Sequence, residues 1–112
     1  MQVFTMFRGD DRSYEITVLD KDTGTPVNIT GCVLVMTWKE KITDTNYFLQ
    51  KEFGLTDPQQ GKAIVDIDAA DTSGLATERK QFFFDVELTN ISTGRKQTLI
   101  SGKIVVEPDV TT

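Results

Sequence analysis

The chain has 112 residues, enough for one domain with its own apolar core, and 38% hydrophobic with 26% charged residues is ordinary for a folded protein. A formal charge of −5, with lysines and arginines scattered, leaves no basic footprint for nucleic acid or an anionic membrane. The absence of histidine removes the commonest general base and metal ligand near neutral pH, and the single cysteine, Cys32, cannot close an internal disulfide.

In chain order, a first strand is predicted over Gln2 to Phe7 and is broken at Arg8-Gly9-Asp10-Asp11. A second runs from Arg12 to Leu19, with Tyr14, Ile16 and Val18 on one face. Asp20 to Gly24 is a turn, and Pro26 to Gly31 a short extended link or edge strand. Cys32 to Lys39 is apolar on both faces, with Leu34, Met36 and Trp38 opposed to Val33 and Val35, as in a central strand or one with a face covered by a partner. Lys41 to Asn46 is a polar connection, Tyr47 to Phe53 a strand, and Leu55 to Gly61 a loop started by Asp57-Pro58.

Lys62 to Asp68 alternates again, with Ala63, Val65 and Ile67 facing inward. Ala69 to Thr77 lacks alternation and allows a single helical turn. The last third is a hairpin about Asn90 to Arg95. Its first arm sets Phe82, Phe84, Val86 and Leu88 against Gln81, Asp85 and Glu87; its second sets Thr98, Ile100, Gly102, Ile104 and Val106 against Leu99, Ser101, Lys103 and Val105. About seven or eight antiparallel strands, turns roughly every 8 to 12 residues and no long helix predict a β-sandwich or small barrel over residues 1–112, with a single all-β, immunoglobulin-like sandwich as the first choice.

Several motifs have a sharper reading beside a plain one. Arg8-Gly9-Asp10 matches an integrin-binding tripeptide, but without a secretory signal it reads as a turn. Asn28-Ile29-Thr30 and Asn90-Ile91-Ser92 fit the glycosylation sequon and read as turn asparagines. Asp57, Asp66, Asp68 and Asp71 hold oxygen ligands suited to calcium but form no known loop signature. Asp85 and Glu87 share one strand face, the ordinary polar side of a sheet, rather than a glycosidase cleft. No catalytic residue, cofactor or metal is therefore expected.

Segments spread over nearly the whole chain resemble a family of small virion proteins. These are Phe7-Arg8-Gly9-Asp10-Asp11 leading into Tyr14 to Val18, then Asp22-Thr23-Gly24-Thr25-Pro26-Val27-Asn28-Ile29-Thr30-Gly31, Asp57-Pro58-Gln59-Gln60-Gly61-Lys62-Ala63, Phe84 to Leu88, and Leu99 to Val106. The family is that of the N-terminal β-sandwich domain of upper baseplate proteins in tailed phages and prophages. Asn28 stands where that family often has aspartate. A baseplate adaptor continues into segments that grip a receptor-binding protein. This sequence stops at Thr112, so the expectation is a self-contained structural piece.

The resemblance implies a non-enzymatic virion structural protein, made in the bacterial cytoplasm and acting through assembly contacts at the tail, baseplate or head–tail region. The expected partners are other virion proteins and symmetric copies of the chain, not nucleic acid or membrane. Capsid decoration is the alternative location. A carbohydrate-binding module is the alternative class, with Trp38, Tyr47 and Phe48 as candidate platforms. The candidate interface residues are Phe4, Met6 and Phe7 of the first strand, open to strand exchange, the loop Arg8, Gly9, Asp10 and Asp11, and Phe83 on the polar face of its strand. For Phe83, interface and inner packing both remain open.

Overall fold

The computed structural model describes residues 11–20, 22–72 and 79–107, and the backbone of residues 2–7. Two-residue alternation sorts these into eight strands. They are β1 (Gln2–Phe7), β2 (Arg12–Thr17), β3 (Cys32–Lys39), β4 (Leu49–Glu52), β5 (Gly54–Asp57), β6 (Lys62–Ile67), β7 (Lys80–Asn90) and β8 (Lys96–Glu107). A 3-10 turn (Pro58–Gln60) precedes β6, and α1 (Ala69–Thr72) follows it.

Strands β1-β8-β7-β3-β4 form one sheet and β2-β6-β5 the other. Read in chain order, β8-β7-β3-β4 follows the G-F-C-C′ order and β2-β6-β5 the B-E-D order of an immunoglobulin-like sandwich. β3 lies inside the sheet, between β7 and β4; Leu34, Met36 and Trp38 face the core, while Val33 and Val35 are half-buried on the outer face. The expectation of antiparallel strands throughout is corrected at one edge, where β1 runs parallel to β8.

The inward residues of both sheets close the core. Leu34, Met36 and Trp38 of β3 meet Phe82, Phe84 and Val86 of β7 and Ile104 and Val106 of β8, and Ala63, Val65 and Ile67 cover them from β6. The Phe82 ring lies 4.5 Å from Phe48 and 5.6 Å from Trp38, centre to centre, within the range of favourable aromatic packing. Trp38 is fully buried and its Nε1 finds no acceptor among the described residues, so ring packing alone carries its burial.

Three boundaries differ from the sequence reading. Leu55 to Asp57, expected to open a loop, belong to β5, which pairs with β6 through a bulge between Leu55 and Asp57. The strand expected from Tyr47 begins only at Leu49. A bulge in β8 sets Val86 opposite Ile100 but Glu87 opposite Thr98, which moves Thr98 off the Ile100 face and leaves Leu99 as the extra residue.

One turn geometry is used twice. Asp20 Oδ1 accepts the N–H groups of Asp22 and Thr23, the Gly24 N–H donates to Asp20 O, and the Asp20 N–H donates to Thr25 O. Asn90 repeats this with Ser92, Thr93, Gly94 and Arg95. In both, the last N–H donates to a threonine Oγ1, from Thr25 to Thr23 and from Arg95 to Thr93. The shared physics is an Asx turn closed by a left-handed glycine, which aspartate and asparagine serve equally. The sequon asparagines are thus turn formers, since Asn28 Oδ1 also accepts the Thr30 N–H. At Asp20, the same backbone donors stabilise the carboxylate and hold its pKa below the usual value.

Candidate functional site

Alternation along β3, β4, β7 and β8 sends every second residue away from the core, and the register aligns them in rows across the five-stranded sheet. Lys39, Phe83 and Lys103 form one row. Gln50, Thr37, Asp85 and Ser101 form the next, and Glu52, Val35, Glu87 and Thr98 the one after. Two adjoining grooves run over this face. One, of about 250 Å³, includes Ile42, Phe83 and Ser101; the other, of about 350 Å³, includes Val35, Tyr47 and Glu87. Thr37, Lys39 and Asp85 line both, so the grooves form one surface.

The electrostatics of this face are divided. Lys103 Nζ lies 5.7 Å from the Phe83 ring centre, a cation–π distance that keeps positive charge on the first row. Burial on the sheet lifts the Asp85 carboxyl above the ordinary aspartate range; neighbouring Glu87 adds to the lift and Lys39 opposes it. Because the folded-state value is the higher one, ionised Asp85 costs stability as pH rises through that range, and the protonated form does not.

The predicted interface residues fall in different places. Phe83 is half-buried on this outer face, between inward Phe82 and Phe84. Phe4, Met6 and Phe7 lie on β1, paired in register with Ile104, Val106 and Glu107, and their side chains are outside the described residues. Arg8, Gly9 and Asp10 are also outside them. Asp11 has an internal task, since its Oδ1 accepts the Ala69 N–H at the start of α1, 2.7 Å away. Of the carbohydrate-platform candidates, Trp38 is sealed in the core and Phe48 stacks on Phe82, while Tyr47 is 55% exposed.

Ile42, 66% exposed at the rim of the first groove, was not expected, because its polar neighbours hide it in sequence. Glu52 and Lys103 were missed as well, since only the register sets them into rows with Glu87 and Lys39.

Of the four aspartates considered for calcium, Asp68 and Asp71 are paired with a lysine and Asp66 with a hydroxyl. Lys51 Nζ lies 2.9 Å from Asp71 Oδ2 and 3.6 Å from Asp68 Oδ2, and Asp66 Oδ1 accepts the Ser13 hydroxyl. Among the described residues no group of three or more acidic or sulfur ligands is placed to hold a metal ion. Asp71 Oδ2 also accepts the Asp68 N–H at 2.8 Å, so one carboxylate caps α1 and anchors it to β4. The Asp71 hydrogen bond raises the Lys51 pKa; this contribution is complete below the amine's ordinary value and is lost as pH rises through the raised one. Asp71→Ala is expected to cost about 1–2 kcal/mol, from loss of the cap together with the ion pair. Urea unfolding of both proteins checks this, and an unchanged midpoint would mean that α1 is held by other contacts.

A second concavity, of about 420 Å³, lies between the twin turns, with Val18, Val27, Ile29 and Leu99 among its apolar walls and Asp20 and Asn90 at its edge. Half-buried Cys32 borders it. Among the described residues no helix is long and apolar enough to cross a membrane.

The fold and its outer face define an immunoglobulin-like β-sandwich whose larger sheet presents a mixed apolar and charged surface. No protein-family model matches the chain, and no curated protein sequence is significantly similar to it.

Proposed function

We propose that this chain is a non-enzymatic structural component of a tailed-phage or prophage-derived particle, held among other virion proteins by the outer face of its five-stranded sheet. The observation that carries the proposal is the difference between the two outer faces. The three-stranded sheet turns Ser13, Glu15, Thr17, Lys62 and Asp66 outward around a single half-buried Ile64. The five-stranded sheet turns out half-buried Val33, Val35 and Phe83, with exposed Ile42 and Tyr47 beside them. Apolar side chains gathered on one sheet face mark a protein–protein contact more than a solvated surface does. Resemblance to the upper-baseplate sandwich favours the tail or baseplate; decoration of the head shell is the other location consistent with a small sandwich.

Antibody–gold labelling of intact particles from the phage or induced prophage that encodes the chain tests this reading. Gold at the tail tip or neck supports the baseplate location, and gold over the shell makes the protein a decoration protein. Unlabelled particles with a demonstrably accessible epitope remove the virion reading. Phe83→Ser is expected to leave the melting temperature of the isolated protein nearly unchanged, within about 0.5 kcal/mol of stability, while weakening incorporation into particles. A collapse in melting temperature would instead make Phe83 part of the fold's own packing.

A further inference from the structure

We infer that the outer face of the five-stranded sheet binds a second copy of this chain, face to face about a two-fold axis that crosses the strands. The inference rests on the reading of that face as a docking surface, and it names the occupant.

The argument is the arrangement of charge along the strands. Lys39 and Lys103 occupy one row, and Glu52 and Glu87 occupy a parallel row on the other side of the Thr37–Asp85 row. Each row is two residues from the central one, a step of about 7 Å. A two-fold axis lying along the central row therefore lays the lysine row of each copy over the glutamate row of the other. The match holds laterally as well. The strand order β4-β3-β7-β8 places Glu52, Lys39, Glu87 and Lys103 on successive strands, about 4.8 Å apart. Lys39 then falls between Glu52 and Glu87 of the second copy, and Lys103 falls beside the same Glu87.

The same operation lays Phe83 of one copy over Glu87 of the other and Val35 over Lys39, so that Phe83 and Val35 of the two copies adjoin one strand apart and cover the stems of the charged side chains. A two-fold contact must be self-complementary, and the charges of this face are so. A partner of uniform charge would meet one favourable row and one repulsive row. The strands of the two copies run in opposite senses, which face-to-face sheet packing allows within its usual crossing angle. On the axis itself Gln50, Thr37, Asp85 and Ser101 each meet their own copy, and of these only Asp85 brings like charges together, where two carboxylates repel.

The test is sedimentation equilibrium of the full chain and of three variants, each first checked for an unchanged thermal melt. The wild type is expected to dimerise. An acidic-face variant, Lys39→Glu with Lys103→Glu, and a basic-face variant, Glu52→Lys with Glu87→Lys, should each self-associate at least about tenfold more weakly. Their equimolar mixture should recover the dimer, with native mass spectrometry showing one copy of each. Asp85→Asn should tighten the wild-type dimer.

A wild type that stays monomeric at its highest soluble concentration overturns the inference. So do variants that dimerise as the wild type does, or a mixture that stays monomeric. If a charge-reversed variant fails to fold, Asp85→Asn decides the matter: a weaker or unchanged dimer counts against this geometry. Labelled particles built from a monomeric protein would sink the dimer and leave the virion role standing. A charge-matched mixed dimer with unlabelled particles would do the reverse.

Discussion

Gly61→Ala is expected to destabilise the protein by about 3 kcal/mol or more, a fall in melting temperature of about 10–20 °C for a domain of this size. Gly61 closes the 3-10 turn with φ +71°, a conformation that costs any residue with a Cβ. An added Cβ would stand 2.6 Å from Val18 O and 2.8 Å from Val27 O, both backbone atoms. Neither carbonyl is free to retreat. Val18 donates its N–H to Gly61 O, Val27 donates to Val18 O, and Ile29 donates to Pro58 O, so three segments are laced together at this point.

Gly24 and Gly94 are natural controls, with φ of +71° and +72° and nothing within 4 Å of an added Cβ. Alanine there should cost only the conformational part, about 1 kcal/mol. Denaturant unfolding of the three variants separates strain from crowding. A Gly61→Ala midpoint equal to that of Gly24→Ala would show that the backbone relaxes around the methyl group.

Phe82→Ala is the second large effect, expected at about 3–5 kcal/mol. The side chain is completely buried, with Phe48 on one side and Trp38 on another, and a void there is lined by rings that cannot flow into it. Against a typical total stability of about 5–15 kcal/mol, the loss leaves a domain that unfolds near ambient temperature or is marginal. The neighbouring Phe83→Ser makes the comparison informative, because one residue along the strand the side chain faces outward. Differential scanning calorimetry of both variants should show a large drop for Phe82→Ala and almost none for Phe83→Ser. Equal drops would mean that the outer face is packed as tightly as the core.

Much of the fold is legible in the order of the residues, which sets the side chains that share a face. Phe82, Phe84 and Val86 point inward together, as do Ala63, Val65 and Ile67. The Asp20 and Asn90 turns are visible in their residue types, and α1 in the break of alternation after Asp68. These features depend on contacts within a few residues, so local chemistry specifies them. The candidate site is legible only in part. Phe83 stands out by its place in a polar alternation, but Ile42, Glu52 and Lys103 carry no local signal.

By itself, the sequence determined the class of the protein: a single all-β chain with these inward faces and these turns. Only the tertiary structure decided that β1 runs parallel to β8, that Gly54–Asp57 joins β6 as a strand, and that the β8 bulge carries Thr98 off the Ile100 face. It alone set Lys51 between Asp68 and Asp71, and aligned the lysine and glutamate rows on the outer face. The physical reason is register. A period of two tells each side chain which face it takes, but the partner across the sheet is chosen by hydrogen bonds and burial summed over strands far apart in the chain.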